Sequence, residues 1–144
     1  HKDNHSTIKI YQPLSKEYKW ANGHNGSVIS LWSKIPEKGD KVIICSSLKD
    51  ALCISCQLHI PTLAVQGEGY DMSDSAIENL KSRYNKIYVS FDTDAPGKLN
   101  TQRLADRTGF IPVIPDLGDS KDYSDYYKSL QDKQEFQKIK TLFI

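Results

Sequence analysis

The chain has 144 residues, 38% of them hydrophobic and 26% charged, with a net charge of +1. That length buries a core without disulfides or metal staples and suits one domain with at most an appendage. A net charge so near zero identifies no class of partner, so any basic surface must come from how the charges are distributed. No apolar run approaches the ~18 residues of a membrane span, and no signal peptide is visible. The chain opens at His1 rather than Met, as expected of a piece of a longer protein.

Residues 1–40 hold both tryptophans, Trp20 and Trp32, and three of the four histidines. Short β-like pieces at 7–11 and 27–32 flank the turn sequence Asn22-Gly23-His24-Asn25-Gly26. This part is predicted to be a small β-rich extension or the tail of a preceding domain. Lys9, Lys16, Lys19 and Lys34 interleave with Tyr11, Tyr18, Trp20 and Trp32. The mixture suits either charge-plus-stacking contact with a nucleic-acid strand or packing of the aromatics on the next domain. Residues 35–40 are predicted to be a linker, which separates the extension from a second unit at 41–144.

From Lys41 onward strands and helices alternate. The run Val42-Ile43-Ile44-Cys45 is expected of a central parallel strand, covered on both faces. Ser46 or Ser47 caps a following helix whose apolar positions are Leu48, Ala51, Leu52 and Ile54 to Leu58. A second strand is predicted at 62–65, then the loop Gln66-Gly67-Glu68-Gly69-Tyr70, then a helix capped by Ser73 that passes Ile77, Leu80 and Tyr84. The third strand is 87–91. The third helix is 97–108, with Leu99 and Leu104 inward and Gly109 as its stop. A fourth strand is predicted at 110–114, an acidic loop at 116–125, and helix from Tyr126 to the end. Strand and helix repeated four times predict a parallel sheet with helices on both faces, with polar loops gathered at the carboxyl rim.

The three cysteines include Cys53-Ile-Ser-Cys56, a C-x-x-C. A zinc site lacks its second pair of ligands, and the motif falls inside a helical pattern. Buried, reduced thiols are predicted, which favours an intracellular setting.

The third strand ends in Asp92-Thr93-Asp94-Ala95-Pro96-Gly97. Two carboxylates at a strand's carboxyl end offer hard oxygen ligands to Mg²⁺ or Mn²⁺. The fourth loop adds Asp119, Asp122 and Asp125. Acids crowded at one rim repel unless a cation compensates them. The alternative is that these aspartates cap the helices that follow.

Three stretches of residues 41–128 resemble the Toprim domain shared by DNA primases, topoisomerases and certain nucleases. They are S-S-L-K-D-A-L at 46–52, F-D-T-D-A-P-G at 91–97 and K-D-Y-S-D-Y at 121–126. In that family the first strand ends in E-G-x-x-D-A and the third in D-x-D-x-x-G; the middle motif here is a full match. The pattern of Lys49-Asp50-Ala51 and Lys121-Asp122-x-x-Asp125 looks most like the phage-type replicative primases. The resemblance implies a Toprim-like, Rossmann-like α/β sandwich around a mostly parallel four-stranded sheet, preceded by the β-rich extension.

What the resemblance further implies is metal-dependent synthesis of an RNA primer on a single-stranded DNA template. Asp92, Asp94 and Asp122 would hold one or two Mg²⁺ or Mn²⁺ ions, and Lys49, Lys98 and Lys121 would neutralise phosphates of ribonucleoside triphosphates or template. A replicative helicase is a further implied partner, no membrane is, and the implied setting is the cytoplasm of a bacterial or phage-infected cell. One departure matters: Ser46 stands where the family has its glutamate. A hydroxyl cannot carry that charge near neutral pH. Either Glu68, freed by Gly67 and Gly69, supplies the catalytic carboxylate beside Asp92 and Asp94, or the domain has become a nucleic-acid-binding module. A Toprim-type nuclease shares the metal chemistry. A topoisomerase would need a strand-gating domain that is not identifiable in 144 residues.

Overall fold

The computed structural model describes residues 9–12, 14–18, 20–22 and 27–144. The start of the 7–11 piece, the turn residues 23–26 and Lys19 lie outside them. Within the extension, β1 (Lys9–Tyr11) pairs antiparallel with β2 (Trp20–Asn22) as a two-stranded sheet.

The main sheet has four parallel strands: β3 (Gly39–Cys45), β4 (Thr62–Ala64), β5 (Tyr84–Val89) and β6 (Ile111–Pro112), in the order β4-β3-β5-β6. Between and after them lie α1 (Leu48–Leu58), α2 (Asp74–Arg83), α3 (Ala95–Thr108) and α4 (Tyr123–Ser129), followed by a 3-10 helix, Lys133–Leu142. This is the parallel α/β fold that the alternation of strands and helices predicts. Side chains alternate across a strand, so the continuous apolar run of β3 feeds two cores. Val42 and Ile44 face Ile77, Leu80 and Leu104 of α2 and α3. Ile43 and Cys45 face Ala51, Ile54 and Leu58 of α1, together with Tyr123, Phe136 and Phe143.

Several local expectations change. Residues 27–32 do not form a strand: Ser30 makes a single antiparallel bridge to Ala64, Leu31 adopts a left-handed φ of 65°, and a 3-10 turn, Trp32–Lys34, follows. Ile29, Leu31 and Trp32 pack against the α2/α3 core, so here the packing alternative for Trp32 is the one realised, with the Arg83 guanidinium 5.5 Å from its ring centre. Leu99 is 70% exposed, because the sheet-facing stripe of α3 is Gly97, Thr101, Leu104, Ala105 and Thr108. The 110–114 strand shrinks to Ile111–Pro112. Helix returns at Tyr123 rather than Tyr126, and the terminal stretch is 3-10. Cys45 is buried, but Cys53 is half-buried and Cys56 exposed; all three are free thiols, and burial pushes the Cys53 thiol up to about 11. Among the described residues no helix is long and apolar enough to cross a membrane.

Candidate metal centre

The rim begins where β5 runs out. Phe91 is buried and its amide donates to Thr101 Oγ1 in α3, at 3.1 Å, which fixes the chain just before Asp92. Asp94 then caps α3, its Oδ1 accepting from the Gly97 amide at 2.9 Å, with Pro96 in the first turn. The capping alternative is therefore realised for one oxygen of Asp94, and a carboxylate has two. Gly97 is required by close approach. A Cβ there would lie 2.1 Å from the Asp92 carbonyl oxygen. The glycine of D-x-D-x-x-G thus lets the helix start directly behind the first acid.

Glu68 comes from the neighbouring strand's exit. Gly67 holds φ 152°, a conformation that side chains disfavour, and its carbonyl accepts from the Tyr70 amide at 3.1 Å to close the turn. Through this turn one carboxylate oxygen each of Glu68, Asp92 and Asp94 lies within 4.8 Å of the others. Among the described residues they form the one group of three acids, histidines or cysteines so disposed. Burial pushes the Glu68 carboxyl above its ordinary value, the charges of Asp92 and Asp94 push it further, and Lys121 pulls partly back. Two oxygens on opposite sides of an octahedral Mg²⁺ lie about 4.2 Å apart at its usual ~2.1 Å bond length. Three carboxylate oxygens within 4.8 Å of one another are the donor type that a hard divalent cation takes; they would draw closer to ligate it, and a cation would relieve their repulsion.

Ser46 sits beside this group. Its hydroxyl is nearly buried and donates to Asp92 Oδ1 at 2.8 Å. It cannot replace a carboxylate, but it orients one. Lys121 Nζ lies 3.8 Å from Asp92 Oδ2, and the backbone of Lys121 accepts from the Thr93 amide at 2.7 Å, so the 116–122 loop is pinned to the D-x-D turn.

Asp122 is drawn into a different cluster. It caps α4, accepting from the amide of Asp125 and the hydroxyl of Ser124, each at 2.8 Å, and pairs with Lys49 at 3.0 Å. Asp50, also buried, accepts from the Ser47 hydroxyl and from the Ser124 amide at 2.9 Å. Burial raises its carboxyl above the usual range. Burial also works to raise Asp122, but the Asp125 amide, the Ser124 hydroxyl and Lys49 outweigh it and hold it below that range. This network ties the amino ends of α1 and α4 together. Lys49 also reaches Asp125 at 3.6 Å. Lys98 is exposed in the first turn of α3.

No protein-family model matches the sequence, and no curated protein matches it. Solved structures do. One chain in the structure of bacteriophage T7 lagging-strand DNA polymerase interacting with primase domains of two gp4 subunits, bound to an RNA/DNA hybrid and dTTP, aligns with a TM-score of 0.60 at 15% identity, over 94% of this chain and 68% of that one. The crystal structure of the primase fragment of the bacteriophage T7 primase-helicase protein aligns with a TM-score of 0.57 at 15% identity, over 84% of this chain. This chain spans about half the length of that fragment, 52%. At such low identity the likeness is one of fold, and the fold is shared with solved phage primase structures.

Proposed function

We propose that this chain is the Toprim core of a DNA primase, a metal-dependent nucleotidyltransferase that makes RNA primers on single-stranded DNA. Residues 1–40 are then the tail of a preceding primase subdomain and 41–144 the Toprim domain. The observation that carries this reading is the convergence of Glu68, Asp92 and Asp94 at the rim of a fold shared with phage primase structures. Glu68 takes the place of the acid that the Toprim pattern puts at Ser46.

In this reading Glu68, Asp92 and Asp94 hold Mg²⁺ or Mn²⁺. When bound, such an ion stabilises the charge that develops on phosphorus and acidifies the attacking hydroxyl. The chain's own groups do the rest. Ser46 and Lys121 orient the Asp92 carboxylate from either oxygen. Glu68, through the carboxylate oxygen left over from holding the ion, would accept the proton of the primer 3′ hydroxyl. Lys98 and Lys121 meet the phosphates of an incoming ribonucleoside triphosphate or of the template, with Lys49 behind them. Asp122 serves the site indirectly, by fixing Lys49 and the start of α4.

The test is primer synthesis by the full-length protein on a single-stranded template with ribonucleotides and Mn²⁺. Glu68→Ala and Asp92→Asn are each expected to lower extension about a hundredfold or more. Full synthesis by Glu68→Ala sinks the assignment of Glu68. Shortened templates in place of extended primers would make the enzyme a nuclease. An NMR titration that shows no response at Asp92 and Asp94 to millimolar Mg²⁺ would leave a binding module.

A further inference from the structure

The loop that carries Glu68 is tied to α3 by two arginines that take no part in the chemistry proposed above. Arg107 Nη1 donates to Asp71 Oδ1 at 2.7 Å and to the Met72 carbonyl at 3.0 Å, and Nη2 pairs with Asp74 Oδ1 at 2.8 Å. One turn earlier, Arg103 Nη2 reaches the carbonyl of Gly69, the residue after Glu68, at 3.5 Å. Asp71 Oδ1 also accepts from the Met72 amide at 2.8 Å, so the oxygen that receives the guanidinium is itself held by the adjacent backbone. Met72 itself is buried in the core shared by α2 and α3.

We infer that Arg107, assisted by Arg103, is a positioning residue that holds the Glu68 carboxylate in register with Asp92 and Asp94. This rests on the reading of Glu68 as a metal ligand. The geometry is economical in rigid parts. The helix whose amino end is capped by Asp94, and whose Gly97 packs on Asp92, is the same helix that reaches the Glu68 loop from further along its length. All three carboxylates are thereby referred to one element. A planar guanidinium meets two carboxylates and a carbonyl from two nitrogens in a fixed fork, a spread that the single-point ammonium of a lysine does not reproduce. As ion pairs these contacts stabilise the fold little, since the Asp74 side chain is 93% exposed and that of Asp71 49%. Their consequence is local: they anchor the segment that directly follows the Gly67–Tyr70 turn, and that turn carries the third ligand. Groups that orient metal ligands from behind commonly matter about 10–100-fold in metal affinity.

Mn²⁺ binding to the protein, followed by calorimetry and by the EPR signal of the free ion, tests this together with thermal melting. Arg107→Ala is expected to weaken Mn²⁺ binding about tenfold or more with a small change in melting temperature. Asp71→Ala should do the same, and the double variant should lose no more than either single one. Arg107→Lys should recover part of the affinity. Asp74→Ala removes the link to α2 alone, and should bind Mn²⁺ as the unmodified protein does. The last variant separates a ligand-positioning role from a brace for α2. If Arg107→Ala cannot be folded, Asp71→Ala and Arg107→Lys carry the same comparison. Unmodified binding and Arg107→Ala binding of equal strength would overturn this inference alone, as would equal losses in Asp74→Ala and Asp71→Ala. Absence of Mn²⁺ binding by the unmodified protein would overturn the metal reading, and this one with it.

Discussion

Replacing Gly97 by alanine sets two effects of opposite sign against each other. In a helix interior Ala is favoured over Gly by about 1 kcal/mol, so at Gly97, in the first turn, propensity alone would stabilise α3 by at most that. Against that, the added methyl would lie 2.1 Å from the Asp92 carbonyl oxygen and 2.7 Å from its carbon, where real contacts stay beyond 3.0 Å. The helix and the strand exit must separate by about 0.9 Å, and the obstacle is backbone, which has no rotamer to change. Overpacking typically costs about 1–3 kcal/mol, and a rigid neighbour puts this case at the upper end. The net expectation is destabilisation of about 2 kcal/mol, or roughly 4–8 °C in melting temperature for a domain of this size. Because the displaced atoms belong to Asp92, Mn²⁺ affinity should fall as well. Urea and thermal unfolding measure the first effect and calorimetry the second. Gly69→Ala is the control, since a Cβ there meets nothing within 4 Å. If Gly97→Ala proved as stable as the unmodified protein or more so, the close approach of α3 to Asp92 would be refuted.

Two further expectations concern the other face of the sheet. Phe143 is fully buried and meets the ring of Tyr88 edge-on, with centres 5.4 Å apart. Phe143→Ala should therefore cost about 3–5 kcal/mol in urea unfolding, and a loss below about 1 kcal/mol would show that the terminal segment is not part of the core. The Asp122 carboxyl is held below its usual range by the amide of Asp125, the hydroxyl of Ser124 and the Lys49 ammonium, despite its burial. A depressed folded-state value contributes stability above the unfolded value of about 3.9, and that stability is lost as pH falls through the folded value. Ser124→Ala should accordingly lose about 1 kcal/mol at pH 7 and progressively less below about pH 4, as seen in urea midpoints across that range. A penalty that stays constant through the acid titration of the folded carboxyl, below the unfolded value of about 3.9, would show that the Ser124 hydroxyl does not act through the ionised carboxylate.

Local pattern was enough for the architecture. The four-residue apolar run of β3, the caps at Ser47, Ser73 and Asp94 and the stop at Gly109 are all short-range signals, and each appears in the structure at the residue that carries the signal. Where pattern failed, tertiary contacts had overridden it. Leu99 looks inward by composition, but the rotation of α3 is set by Gly97 against Asp92 and by the Thr101 contact to Phe91, which turn Leu99 to solvent. The β-like 27–32 stretch finds only the edge of β4 at Ser30, and the rest coils over the core.

The site divides in the same way. That Asp92 and Asp94 stand at a strand's carboxyl end follows from sequence, because the strand and its breaker are contiguous with them. Glu68 likewise stands out in the chain between two glycines, but its reach does not. Its place within 4.8 Å of both aspartates depends on β4 and β5 flanking β3 and on the φ of Gly67. Asp92, Asp94 and Asp122 look alike as exposed acids in loops. Only the packing of α1 against α4 gives Asp122 to Lys49 and Ser124 instead of to the other two. Ser46 reads as a lost carboxylate in the chain and becomes, in the fold, a donor to Asp92. Residue types and spacing determine which groups are present at a strand's end. Which of them share one small volume is decided by sheet order and helix rotation, because those contacts join residues tens of positions apart.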